Sequence, residues 1–210
     1  MVPTVKQKEI ISLLGKTQEI FEDYVTSNNL KMHCIEVSSI MRELAKYMIK
    51  EGKLSSGANP NEKEEEWATT GLLHDLDFDE YPDLKEHAKI TVQRLKPLGY
   101  HDNMLHAILS HNEQGTGVKR ENDLDYCLSA ADNISGLIYA YALMRGGLEG
   151  MKVKGLKKKI KDKTFAAAVR RDLILDIEKA GLDLDKFLEI SIKAMQNIAD
   201  KIGFEKADEN

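Results

Sequence analysis

Cysteine is nearly absent: Cys34 and Cys127 are the only two in 210 residues. They can form neither a disulfide framework nor a CxxC metal pair, and both fall in apolar helical patterns that suit reduced, buried thiols in a reducing cytosol. Proline is scarce, at four residues, and aromatics make up 6%, whereas Leu, Ala, Lys and Glu abound. That balance favours helix, and no run shows the sustained alternation of Val, Ile and Thr that marks strands. Long apolar runs are missing as well. The start, MVPTVKQKEIISLLG, has no unbroken apolar stretch, and no later segment approaches the roughly 18 uncharged residues of a membrane helix. The expectation is an all-α chain, soluble and cytoplasmic, with no membrane partner.

At 210 residues and 42% hydrophobic, the chain is long enough for one sizeable core and short for two. A single domain over 1–210 is expected. Its core spans about 28–145, and additions at 1–15 and at about 148–205 pack on it. Apolar periodicity predicts helices near 4–14, 17–27, 31–51, 62–75, 83–96, 101–113, 121–145, 151–161, 166–180 and 183–202. The segment at 52–61, GKLSSGANPN, has almost nothing to bury and reads as a loop. The last helix has a clear apolar face through Phe187, Leu188, Ile192 and Met195, which could cover the chain's own core or a second subunit in a homodimer. Net charge is −5, unevenly spread. From Lys152 to Arg171 nine basic residues face the single acid Asp162, so this stretch is +8 and the remainder −13.

Asp132 is the strongest local anomaly, the only charged residue between Asp125 and Arg145 in an otherwise apolar helical run. A carboxylate on a buried face costs several kcal/mol unless paired or bound to a metal. A buried salt bridge or a helix cap would accommodate it, but Ser135 and Gly136 on the same face leave room for something to approach, which favours a site. In GLLHDLD at 71–77, His74 and Asp75 close an apolar helix. Adjacent residues point about 100° apart, so both reach one ion only if it sits against the helix end. His33 lies on the stripe Val37, Ile40, Met41, Leu44 and Met48, as a hydrogen-bonded core residue or as a ligand. His111 repeats that situation with Met104, Ala107 and Ile108, and His87 does so on the predicted helix LKEHAKITVQRL. His101 and His106 read as partly solvated. The set His33, His74, Asp75, His87, His111 and Asp132 is all imidazole and carboxylate, suited to one or two divalent ions of Fe, Mn, Zn, Ni or Co.

The order His33, then His74-Asp75, then Asp132, each on a helix, resembles the HD superfamily of metal-dependent phosphohydrolases. The strings MHCIEVSSIM, GLLHDLDFD, ILSHNE and SAADNISGLI are similar to HD family segments. The resemblance implies an HD-domain helical bundle with N- and C-terminal helical additions. His87 and His111 resemble the extra histidines of dinuclear HD enzymes, which implies Asp75 bridging two ions, with His33, His74 and Asp132 completing one and His87 and His111 holding the other. Two departures stand out. HD 5′-nucleotidases carry a Glu three residues past the HD aspartate, where this chain has Phe78, with Asp77 or Asp79 as possible substitutes. No Gly-Tyr-Pro signature of cyclic-di-GMP phosphodiesterases follows the histidines. The C-terminal third looks like that of a group of predicted HD hydrolases.

The activity implied is hydrolysis of a phosphate ester or anhydride of a small, nucleotide-like substrate by a metal-activated hydroxide. Asp77 and Glu113 are the candidate acid or base residues. Arg145, Lys154 and Arg170, from the basic strip and the end of the Asp132 helix, are expected at the substrate, although a solvated helix face accounts equally for such charges. Nucleic acid is not expected as a partner, because Phe165 is the only aromatic interleaved with the strip and the chain is acidic. The same ligands would serve a diiron oxygenase of the HD type. A non-catalytic nucleotide-binding regulatory module would be marked by a missing ligand, and none of the four core ligands is missing.

Overall fold

A computed structural model describes residues 5–55 and 59–204. Ten helices follow in chain order: α1 Val5–Tyr24, α2 Asn28–Lys50, α3 Pro60–Leu73, α4 Lys89–Leu95, α5 Asp102–His111, α6 Glu113–Thr116, α7 Asp123–Arg145, α8 Val153–Lys161, α9 Arg171–Ile174 and α10 Leu184–Asn197. Short 3-10 turns lie at Lys96–Leu98, Leu175–Glu178 and Ala199–Ile202. Among the described residues there is no strand, so the fold is all-α as the composition implies. Of the loop at 52–61, residues 56–58 lie outside the described ones.

The two longest helices, α2 and α7, form the centre. The α2 stripe Val37, Ile40, Met41, Leu44 and Met48 is wholly buried and meets Leu128, Ala131, Ile134 and Ile138 of α7 in one hydrophobic cluster. Phe187, Leu188, Ile192 and Met195 of α10 join that cluster, so the apolar face of the last helix is covered within the chain. A second cluster joins Phe21 of α1 and Cys34 of α2 to Leu73 and Leu76 and to Met104 and Ile108 of α5. Serine hydroxyls on α2 tie the layers: Ser38 donates to Ala68 O of α3 at 2.8 Å and Ser39 to Ala194 O of α10 at 2.9 Å.

Four predicted helices differ from those observed. The pair at 4–14 and 17–27 is one helix, since Gly15 costs about 1 kcal/mol but no cap or proline stops the chain there. The helix predicted at 83–96 exists only from Lys89. Ala88 stands at φ 70°, and the Asn112 side chain takes the carbonyls of Leu84 and His87, leaving His87 on a turn. The helix predicted at 166–180 is broken into a loop, α9 and a 3-10 turn, with Ala166 at φ 44°, because the Arg171 side chain captures carbonyls that a helix would pair.

Gly71 sets the approach of α3 to α2. A Cβ there would stand 2.9 Å from the backbone of Ser38 and of Val37, closer than carbon atoms tolerate. This approach brings His74, three residues on, beside His33, their ring centroids 5.2 Å apart. Gly71→Val should therefore lose about 2 to 3 kcal/mol of stability through overpacking, measured as a lowered urea midpoint. An unchanged midpoint would show that the two helices separate at no cost.

Candidate metal centre

The four histidines arrive by three local devices. His33 projects from the second turn of α2, whose N-terminus is capped by Ser27 and by Asp79. The Asp79 carboxylate accepts from the backbone N–H groups of Thr26 and Ser27 at 2.7 and 2.8 Å. The chain just past the His-Asp dipeptide thus holds the start of the His33 helix. His74 and His111 sit at the C-terminal ends of α3 and α5, where the last carbonyls lack intrahelical partners. Each ring uses one: His74 Nδ1 donates to Gly71 O at 2.8 Å, and His111 Nδ1 to Ile108 O. His87 Nδ1 donates to Asp77 at 2.7 Å.

With Nδ1 so engaged, the Nε2 atoms of these three rings are aimed inward, each a lone pair on a neutral ring and an N–H on a protonated one. All three lie 3.3 Å from the same oxygen, Oδ1 of Asp75. His33 Nε2 lies 3.6 Å from the other Asp75 oxygen and 3.2 Å from Asp132. His87 and His111 bring their Nε2 atoms to 3.0 Å, and the fully buried Nε2 of His74 has no hydrogen-bond partner. Acceptors packed this closely repel unless positive charge lies between them, so the donor set fits divalent metal. Two overlapping groups could hold an ion, His33, His74 and Asp75 in one and Asp75, His87 and His111 in the other.

The titration of these groups shows the same demand for positive charge. Burial pulls the His33 imidazole down, yet Asp132 and Asp75 outweigh it and raise it to about 9. His87 is likewise raised to about 10, burial being overcome by Asp75 and Asp77. Burial pushes the Asp75 carboxyl up, but His74, His111 and His87 hold it well below the usual carboxylate range. Beside the centre, burial raises Glu36 to about 8 against the pull of His33 and Ser135.

The centre opens into a cavity of about 820 Å³ whose walls include Phe78, Leu84, Glu113, Arg120, Asn133 and Arg170. Of the three cations expected at substrate, only Arg170 lines it. At about 1.5 Å per residue, Arg145 lies roughly 20 Å along α7 from Asp132, where it donates to Glu149 O and stacks over Tyr141. Lys154 is exposed on α8 and is not among the lining residues. The strip's other lysines form a solvated face, with Lys157 paired to Asp185 and Lys159 over the Phe165 ring. Glu113 is on the cleft wall, 2.8 Å from Arg120. Asp77 is fully buried, and its carboxylate is filled by His87 and by the Thr91 N–H at 2.9 Å. It positions a ligand-type ring and does not face the cleft. Nor is Asp79 available in place of the nucleotidase Glu, since it caps α2.

Sequence reasoning missed Arg120 and Asn112, whose partners are distant in the chain. Glu36 had a signal, an acid sharing the His33 and Ile40 face of α2. The room at Gly136 is met by Val169, 3.9 Å from where a Cβ would lie.

The family model for the HD domain matches residues 31–137, a stretch that opens on α2, ends in α7 and contains all six ligand-type residues. This chain belongs to the HD domain family. The HD domain indicates a superfamily of metal-dependent hydrolases whose members bind divalent metals. No curated protein and no solved structure matches the chain. The segment bearing Arg170 lies outside the matched HD stretch.

If both groups bind, elemental analysis should find about two metals per chain, falling to about one in His87→Ala and below one in Asp132→Ala. Asp77→Asn should weaken the second ion about 10- to 100-fold, as loss of a partner behind a ligand does. One ion, indifferent to His87→Ala, would leave a mononuclear site.

Proposed function

We propose that this HD protein is a metal-dependent phosphohydrolase that cleaves a phosphate ester or anhydride of a small, nucleotide-like molecule. The observation that carries the reading is the convergence of three Nδ1-tied imidazoles on one oxygen of Asp75, at the base of an open cavity. Asp75 would be common to two ions, with His33, His74 and Asp132 on one and His87 and His111 on the other. Divalent ions held there supply a water of lowered pKa and neutralise phosphoryl oxygens.

The protein's own groups do the rest. Asp77 fixes the His87 tautomer, and Ser135, 3.2 Å from His33 Nδ1, orients the ring on α2. Glu113 is the cavity carboxylate that belongs to neither ligand group, and its place on the wall suits proton transfer to or from the substrate. Arg170 supplies a guanidinium for a phosphoryl oxygen. The exposed amide of Gln114, the partly exposed Asn133 and the Phe78 ring also line the cavity, and amides beside an aromatic ring suit a base-like organic group. Cys34 and Cys127, free and buried, fit a reducing cytoplasm. Among the described residues no helix is long and apolar enough to cross a membrane.

The reading is tested with metal-loaded protein on a broad panel of nucleotides and phosphoesters, beside an HD enzyme of known activity. Turnover should appear with Mn or Ni, vanish on chelation, and fall at least about a thousandfold in Asp132→Ala. An inert protein beside an active control would sink the proposal. A colour or mixed-valence iron signal in aerobically handled protein would favour the diiron oxygenase instead.

A further inference from the structure

The cavity's cations are few, and the more loosely paired of them is delivered by an unusual loop. Residues 162–171 fold round the guanidinium of Arg171. Its Nε donates to Ile160 O at 3.1 Å, Nη1 to Val169 O at 2.8 Å and Ala166 O at 3.3 Å, and Nη2 to Asp162 O at 3.0 Å and to Phe165 O. The rigid five-donor fork of Arg suits this task, and a point charge would not. The loop is docked on α7 by the Arg170 N–H, which donates to Asn133 Oδ1 at 3.1 Å. Arg170 is thereby held one residue from Asp132. Among the described residues its side chain pairs with Asp172 alone, and both are more than half exposed, at 54% and 64%. Such a pair contributes little and is readily exchanged for another anion.

Arg120, the other guanidinium on the wall, is engaged by Ser110 O at 2.8 Å, Glu113 at 2.8 Å and Asp176 at 2.9 Å. None of the strip lysines lines the cavity. Phe78 and Leu84, 38% and 47% exposed, present apolar surface beside His87. Among the described residues cationic help outside the metal centre is therefore limited to Arg170, whereas a polyphosphate tail adds several negative charges that would meet apolar walls and a guanidinium already engaged by Glu113 and Asp176.

Building on the hydrolase reading, we infer that the substrate carries a single phosphate group, gripped by the metal centre and Arg170, on an apolar or aromatic body that lies against Phe78 and Leu84. Arg171 is a positioning residue acting through Arg170.

Binding and turnover separate this inference from the reading beneath it. In Mn-loaded protein at buffered free Mn, calorimetry with a non-hydrolysable phosphonate analogue of a nucleoside monophosphate and with that of the triphosphate should show the first binding at least about tenfold tighter. Arg170→Met should weaken the monophosphate analogue about tenfold. Arg171→Met at full metal content should do the same, and the double variant should lose no more than either alone, which a merely structural role would not produce. Tighter triphosphate binding, no binding of either analogue, or an Arg170→Met variant within a factor of about two of the parent would overturn the inference. Turnover of polyphosphates alone would keep the hydrolase and discard the single-phosphate limit. The expected binding order without turnover of any phosphoester would keep the limit and discard the hydrolase.

Discussion

Three imidazole nitrogens sharing one carboxylate oxygen is an arrangement that cannot stand without positive charge between its members. Asp75 Oδ1 has His74, His87 and His111 at 3.3 Å. Hydrogen bonding from the rings alone could satisfy a carboxylate. Here, however, two of the four ring protons are drawn to helix-end carbonyls and a third to Asp77. What points inward is lone pairs on neutral rings, or protons that Asp75 holds on rings such as His87, and either way the centre calls for positive charge.

Much of the fold can be read as the means of holding that arrangement. Helix C-termini carry carbonyls with no partner, and placing His74 and His111 within the final turn region of α3 and α5 converts this deficiency into ring orientation. The chain leaving α3 turns back at once, so that Asp75 faces the centre, Asp77 reaches behind His87, and Asp79 caps α2. Alternate acids along one short segment thus serve three different helices or turns. Gly71 lets α3 lie close enough to α2 for His33 to join. A hinge anywhere in this segment would move the carboxylate, its supporting acid and the His33 helix together.

Legibility in the sequence followed the range of the interaction. The all-α class, the buried stripe of α2 and the isolation of Asp132 in an apolar run depend on residues within a few turns of each other, and periodicity reports such neighbours. The six ligand-type residues could be nominated because imidazole and carboxylate on apolar faces are locally conspicuous. The roles of Asp77 and Asp79 could not be told apart, since each is decided by a partner elsewhere: His87 for one, the start of α2 for the other. Arg145 misled for a geometric reason, because a charge at the end of a helix seems close in sequence to Asp132 but is carried far along the axis.

The broken helix at 166–180 is the most instructive of these cases. Ala and Leu there favour helix by about the usual few tenths of a kcal/mol each, and periodicity offers no objection. Yet one arginine side chain with several carbonyls to receive it outweighs those preferences, since each charge-assisted bond contributes about 1.5 to 3 kcal/mol. Ala166 accepts a left-handed backbone as part of the same exchange, at roughly 1 to 2 kcal/mol. The loop so formed lies beyond the matched HD stretch but packs on α7 next to Asp132 and Gly136. The six ligand-type residues lie in the family region, and among the described residues the cavity's loosely paired cation, Arg170, lies in the appended segment. On the proposed reading, the metal ligands and the apolar wall belong to the family region and the phosphate-gripping cation to the appended segment, so the grip can vary without disturbing the ligands.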